Sequence, residues 1–240
     1  MPEAVRQLVL DLPVHAALES EDFLVGPSNA EAFGMIERWP DWPDHLMLLA
    51  GPHGSGKSHL AAIWAGHVGA TSVAATEIGA PAVPDLAASK ALVVEDIDRS
   101  GLDEHALFHL LNLVREARLP LLLTSSKPLA ECRFRTPDLL SRLRVVPSIR
   151  LLAPDDALLR AVLVKLFHDR QIAVEASVVD YVAMRIERSL AAAGAVVDAL
   201  DREALSRGRR LTRPVAAAVL AGHPGPVGEP DDHPSVTPRS

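Results

Sequence analysis

Residues 45–58 read HLMLLAGPHGSGKS. The first part, His45 to Ala50, is a short apolar run of buried-strand length. The second, Gly51 to Ser58, has the spacing G-x-x-x-x-G-K-[ST], and Lys57 to His67 continues as a helix. A glycine-rich turn between a buried strand and a helix can aim successive backbone N–H groups inward, and the helix adds its positive N-terminus. Gly51, Gly54, Ser55 and Gly56 therefore form a phosphate cradle, with Lys57 placed for the β- and γ-phosphates and the Ser58 hydroxyl for Mg²⁺.

A strand that feeds a phosphate loop needs neighbours, and the chain supplies them. Ala91 to Val94 is an apolar run leading into Glu95 and Asp96. Ser72 to Ala75 is a weaker strand, and Leu119 to Thr124 and Ser148 to Leu152 are further ones. The intervening segments are helical: Asp103 to Arg118 sets Leu107, Leu110, Leu111 and Val114 on one face, and Ser28 to Trp39 precedes the first strand. Strands separated by helices indicate a parallel sheet covered on both faces, an α/β fold. Glu95 suits the metal side, directly or through water, and Asp96 the ordering of an attacking water. The order Glu-Asp reverses the commoner one, which points to slow hydrolysis. Ser125 and Ser126 end the fourth strand at the edge facing the nucleotide, so one of them can sense a γ-phosphate.

Beyond Pro154 only helices follow: Asp155 to Arg170, Ser177 to Arg188, Ala191 to Arg207, and a last one capped by Thr212 with Pro214 in its first turn. The expected organisation is an extended segment over 1–20, a sheet domain over 21–153, a small all-α domain over 154–222 and a disordered tail over 223–240. His105 and His109 share a helix face at metal-pair spacing, but no third ligand accompanies them. Cys132 is expected to be inert.

Of the 240 residues, 48% are hydrophobic and only 4% aromatic, so the core must be aliphatic. The net charge of −7 argues against non-specific DNA binding through the protein's own cations. The single cysteine fits a reducing compartment. No apolar run reaches the length of a membrane span, and no signal peptide is visible, so a cytoplasmic protein without membrane contact is expected. Four lysines stand against twenty arginines. That bias makes any one arginine weak evidence on its own.

The phosphate loop, the acidic strand end, the polar strand end, Ser141-Arg142-Leu143 and the trailing helices occur in the order found in AAA+ ATPases. The chain resembles more narrowly the DnaA family and its shorter Hda branch. DFLVGPSN, Asp22 to Asn29, resembles the stretch that frames adenine in that family; GPHGSGKSHL resembles its phosphate loop, and LLSRL, Leu139 to Leu143, its arginine-finger box. The resemblance implies an AAA+ sheet domain with a helical lid, and adenine nucleotide (ADP or ATP) with Mg²⁺ bound by Phe23, Val25, Gly26, Asn29, His59, the loop, Ser58, Glu95 and Ser126. It implies that Arg142 is offered in trans to ATP on a neighbour. The lid's sensor arginine aligns with Ala191, leaving Arg188 or Arg185 on the same face as alternatives.

Two features point toward the Hda branch. The sequence ends after the lid, where DnaA continues into a DNA-binding domain. QLVLDLP, Gln7 to Pro13, resembles a peptide that binds the sliding clamp, the β subunit of DNA polymerase III. A glutamine followed by Leu8, Leu10 and Leu12 can seat one polar and several apolar groups in a shallow groove. The implied partners are DnaA and the clamp, with DNA reached only through the clamp and self-association open. The implied activity is promotion of hydrolysis of DnaA-bound ATP, with at most weak hydrolysis of its own nucleotide. The alternative is an adaptor that binds nucleotide and recruits replication proteins without stimulating hydrolysis.

Overall fold

A computed structural model describes residues 23–207 and 211–222. The segment carrying Gln7, Leu8, Leu10 and Leu12 and the tail over 223–240 lie outside the described residues.

Five strands, β1 (Leu46–Ala50), β2 (Thr71–Ala74), β3 (Leu92–Glu95), β4 (Leu121–Ser125) and β5 (Ser148–Arg150), form one sheet in the order β2-β3-β4-β1-β5. Every pairing is parallel. Strand parity explains how it is packed. Leu46, Leu48, Leu92, Val94, Leu121 and Leu123 point to one face, where they join a core with Leu107, Leu110, Leu111 and Val114. The alternate residues Met47, Leu49, Val93, Leu122 and Ile149 join the opposite core with Ile36, Leu60, Ile63 and Trp64. Near-continuous apolar strands are what a sheet buried on both faces requires. The edge strands β2 and β5 are correspondingly more exposed.

The helices follow from local signals. Helix α1 spans Ala30–Glu37 and α2 spans Lys57–Val68, the latter ending at Gly69 in the left-handed conformation. The short α3 is Val83–Ala87, with Pro84 in its first turn. Asp103 caps α4 (Glu104–Glu116) by accepting from the Ala106 N–H at 3.0 Å. Helix α5 (Pro137–Arg144) starts on a proline and buries Leu139 and Leu143, one turn apart. Neither α3 nor α5 has a long enough apolar period to stand out in the sequence.

Four further helices, α6 (Asp156–Asp169), α7 (Ala176–Ala183), α8 (Leu190–Arg207) and α9 (Arg213–Gly222), pack on their own core of Leu159, Leu163, Phe167, Val182, Val197 and Leu200. Asp155 caps α6 through the Leu158 N–H at 2.8 Å. The helix expected over Ser177–Arg188 is shorter. It ends at Ala183, where the Arg185 N–H turns to the Val182 carbonyl, and residues 184–188 unwind to carry Ser189 to the phosphate loop. Among the described residues no helix is long and apolar enough to cross a membrane.

Candidate nucleotide-binding site

The C-terminal ends of β1, β3 and β4 converge on the loop 51–56. Gly51 lies so close to the chain after β5 that a Cβ there would sit 2.5 Å from the Leu151 carbonyl oxygen. Gly54 and Gly56 have φ of +70° and +102°, which side chains rarely adopt. Lys57 is buried at the start of α2, and its Nζ donates to the Gly51 and Pro52 carbonyl oxygens at 2.8 and 3.0 Å. Burial pushes the Lys57 ammonium below its ordinary pKa, and the negative charges of Asp96, Asp98 and Glu95 offset part of that shift. The Ser55 Oγ is buried with no hydrogen-bond partner in the described structure. A cationic lysine held among carbonyl oxygens, a buried hydroxyl without a partner and glycines that keep the loop open to close approach fit a polyphosphate.

Ser58 Oγ donates to Glu95 Oε2 at 2.5 Å. No cluster of three His, Cys, Asp or Glu that could hold a metal occurs among the described residues, His105 and His109 included. Ser58 and Glu95 fit Mg²⁺, which usually draws its other ligands from phosphate and water. When bound, the ion would supply charge neutralisation to the phosphates.

Asp96 has φ of +58°, so the chain turns sharply at the end of β3. Its N–H donates to Thr124 Oγ1 at 2.9 Å, and the next N–H, of Ile97, to the Thr124 carbonyl at 3.0 Å. The Asp96 carboxylate is exposed beside Arg99 at 3.8 Å. Between the two serines the structure discriminates: Ser125 is buried and donates to the Lys127 carbonyl at 2.7 Å, away from the loop. Ser126 stands at the site, but Asp98 accepts both its N–H (2.9 Å) and its hydroxyl (2.5 Å). A γ-phosphate would have to compete with Asp98 for the one hydroxyl proton. Asp98 and Thr124 were not singled out in the sequence, where the only hint is a third acid two residues beyond Asp96.

The turn expected to frame adenine is organised from within. Asn29 is buried; its Oδ1 accepts from the Gly26 N–H at 2.8 Å and its Nδ2 donates to the Leu24 carbonyl at 2.9 Å. Its amide is thus used to shape the turn expected to frame adenine. Phe23 stacks on Phe33 with centroids 5.4 Å apart and meets the His59 ring edge-on at 5.2 Å, so Phe23 and His59 act as packing for the loop. Val25 is exposed, and Gly26 faces Leu158 of α6.

The start of α8 closes the other side of the loop. The Leu190 N–H donates to the Gly54 carbonyl at 2.7 Å, and the Ser189 Oγ accepts from the Ala192 N–H at 3.2 Å as the helix cap. Ala191 stands at the loop, where the resemblance puts the sensor arginine. Arg188 does not replace it: its guanidinium pairs with Asp156 at 2.9 Å in an exposed position. Arg185 lies over the Tyr181 ring at 3.8 Å. The expected role of Arg188 at the nucleotide is corrected accordingly, because the unwound turn before Ser189 brings backbone, not a basic side chain, to the phosphate loop.

Residues 156–220 match the family model described as the Hda lid domain. Domain III of the replication initiation protein DnaA from Thermotoga maritima superposes with a TM-score of 0.77 at 17% identity, over 88% of this chain and 98% of that one. AMPPCP-bound DnaA from Aquifex aeolicus gives a TM-score of 0.63 at 14% identity, over 74% and 63% of the two chains. Residues 156–220 thus match an Hda-type lid, and the chain as a whole has the fold of DnaA domain III. The Holliday junction branch migration motor RuvB of Thermotoga maritima also shares the fold, at TM-score 0.59 and 15% identity over 74% of this chain and 61% of that one. No curated protein sequence matched.

In this sheet domain Arg142 lies on the outer face of α5, exposed and with no ion pair or hydrogen bond to its guanidinium among the described residues. Glu104, at the start of α4, anchors the approach to that helix. Its carboxylate accepts the Arg135 N–H at 2.9 Å and the Thr136 N–H at 2.6 Å, immediately before Pro137. Partial burial pushes the Glu104 carboxyl up, but these N–H bonds outweigh it and hold the pKa below the ordinary value. Stability from a carboxyl depressed in the folded state is present above its unfolded pKa and is lost as pH falls through the folded one. Glu104→Ala should therefore destabilise the protein by about 1 kcal/mol at pH 7, and the difference from wild type should shrink as a chemical-denaturation series is carried below pH 4. A difference that stays constant across the series would refute the anchoring role. Cys132 is half-buried, and burial raises its thiol pKa, which suits an unreactive residue.

Proposed function

We propose that this protein binds adenine nucleotide and the DNA polymerase sliding clamp and promotes hydrolysis of DnaA-bound ATP, as a regulator of replication initiation. The observation that carries the reading is Arg142: an exposed, unpartnered guanidinium on a helix pinned by Leu139, Leu143 and Glu104, in a chain with an Hda-type lid. A guanidinium delivered from outside a nucleotide site stabilises the charge that develops on a γ-phosphate during transfer. A finger works only if it is held in place and not neutralised by its own chain, and both conditions are met here.

The protein's own site is arranged for binding more than turnover. The loop amides, Lys57 and Ser58 would hold the phosphates, Glu95 and Ser58 the Mg²⁺, and the 23–29 turn would flank the base. The residues that would order and activate a water are otherwise occupied: Asp96 lies beside Arg99, and Ser126 is held by Asp98. Slow intrinsic hydrolysis follows, and the bound nucleotide then sets the position of the lid relative to the sheet. Gln7, Leu8, Leu10 and Leu12 would tether the protein to the clamp, which brings an acidic protein to DNA without cations of its own. A cytoplasmic location follows from these partners.

The test is ATP hydrolysis by DnaA in the presence of clamp loaded on DNA. Wild-type protein should accelerate it, and the acceleration should fall to near the basal rate when the clamp is omitted or when Gln7→Ala is used. No acceleration under any condition would reject the hydrolysis role and leave the adaptor reading.

A further inference from the structure

At the opposite end of the sheet from the phosphate loop lies a cavity of about 500 Å³ lined by Asp44, His45, Arg115 and Arg118. Topology brings these residues together. His45 directly precedes β1, Arg118 precedes β4, and Leu46 of β1 is in register with Leu121 of β4; Arg115 is in the last turn of α4. Three of the lining residues, Asp44, His45 and Arg118, have φ of +50°, +59° and +51°. These are conformations in which glycine is the ordinary choice, and functional sites are where other residues tend to hold them. The end of α4 favours cations through its dipole, which accounts for arginines there but not for the Asp44-His45 turn.

The donors are uncommitted. Neither arginine side chain has an ion pair or hydrogen bond among the described residues, and Asp44 is not paired with either. The His45 Nδ1 is buried with no hydrogen-bond partner. Its ring meets Trp39 at 5.8 Å, and Trp39, Trp42 and Trp64, the chain's only tryptophans, pack against one another.

We propose that this cavity is a second anion site that takes the phosphate group of a small molecule. Two guanidiniums, one in the last turn of α4 and one just after it, offer more donors than the two oxygens of a carboxylate accept comfortably, whereas a tetrahedral phosphate presents enough oxygens to both. Asp44 adds an acceptor, which matches a protonated phosphate oxygen or a hydroxyl on the carrier. The volume lies in the range of small-molecule pockets. The site is independent of the nucleotide site, which stands or falls on its own.

Tryptophan fluorescence reads it directly. Full-length protein carrying Lys57→Ala, which disables the phosphate loop, is titrated with inorganic phosphate and, in parallel, with glycerol 3-phosphate. A saturating change at low millimolar concentration or tighter is expected, with the tighter of the two ligands telling free phosphate from a phosphomonoester. Arg118→Gly, a change suited to the local backbone, and Arg115→Ala, half-buried in the last turn of α4, should each weaken binding about tenfold or more while circular dichroism stays unchanged. The absence of saturation with either ligand, or saturation unaltered in both variants, overturns the proposal.

Discussion

Replacement of Arg142 by alanine should abolish stimulation of DnaA-bound ATP hydrolysis, with a loss on the order of 10³-fold or more where the finger alone sets the rate. Because the side chain is exposed and unpartnered, its removal should leave thermal stability within about 0.5 kcal/mol of wild type. Arg142→Lys should not restore activity, since a compact ammonium lacks the planar fork that spans two phosphate oxygens. Arg144→Ala is the matched control. It is also exposed, but two residues along a helix place it on a nearly opposite face. The quantity to measure is the hydrolysis rate of DnaA-bound ATP at saturating protein and clamp. Equal stimulation by wild type and Arg142→Ala would remove the arginine-finger role, while retained clamp binding in the same variant would show that recruitment is intact.

The second large effect is expected at Gly54. A Cβ there would lie 1.9 Å from the Ser189 Oγ and 2.9 Å from the Ser189 Cβ, with φ at +70°. The backbone term alone costs roughly 1–2 kcal/mol for a residue with a side chain, and the overlap cannot be relieved without moving the start of α8. Gly54→Ala should therefore displace the lid from the phosphate loop and weaken adenine nucleotide binding on the order of 100-fold, or about 2.7 kcal/mol. Calorimetry measures the affinity, and hydrogen exchange at Leu190, whose N–H is bonded to Gly54, reports the lid. Ser189→Gly in the same chain removes the clashing group while glycine still serves adequately as a helix cap. The pair should show strong non-additivity, with affinity partly restored. Gly66→Ala, in the middle of α2 with nothing near its Cβ position, should be neutral or slightly stabilising. If Gly54→Ala binds nucleotide as wild type does, the lid is not coupled to the loop through this contact.

These two sites differ in how readable they were. Arg142 lies in a short local pattern, and its exposure follows from Leu139 and Leu143 taking the buried face of α5. The conflict at Gly54 is invisible in the sequence, because its partner is Ser189 in another unit of the fold. The sensor position shows both sides of the matter. The resemblance puts the sensor at Ala191, which lies by the loop, and helical spacing suggests that Arg188 or Arg185 shares its face. That inference needed an unbroken helix through residue 188. The chain unwinds after Ala183, so the spacing has no meaning across the break, and Arg188 finds Asp156 instead.

The same division runs through the acidic strand end. That Glu95 and Asp96 cap a buried strand was legible, since four apolar residues followed by two carboxylates have few other uses beside a phosphate loop. Which partner each acid takes was not. Ser58 and Glu95 are 37 residues apart, and Ser126 and Asp98 are 28 apart, so no local rule relates them.

By itself, then, the sequence determined what short-range chemistry controls: strand parity, helix caps, the glycine spacing that makes a phosphate cradle, and the arginine on an outward helix face. Tertiary structure decided what depends on which distant groups meet. It put Asp98 on the Ser126 hydroxyl, the start of α8 on Gly54, and Asp44, His45, Arg115 and Arg118 around one cavity. Backbone propensities act within a few residues, whereas a hydrogen-bond partner or a steric limit is set only when separate strands and helices have packed.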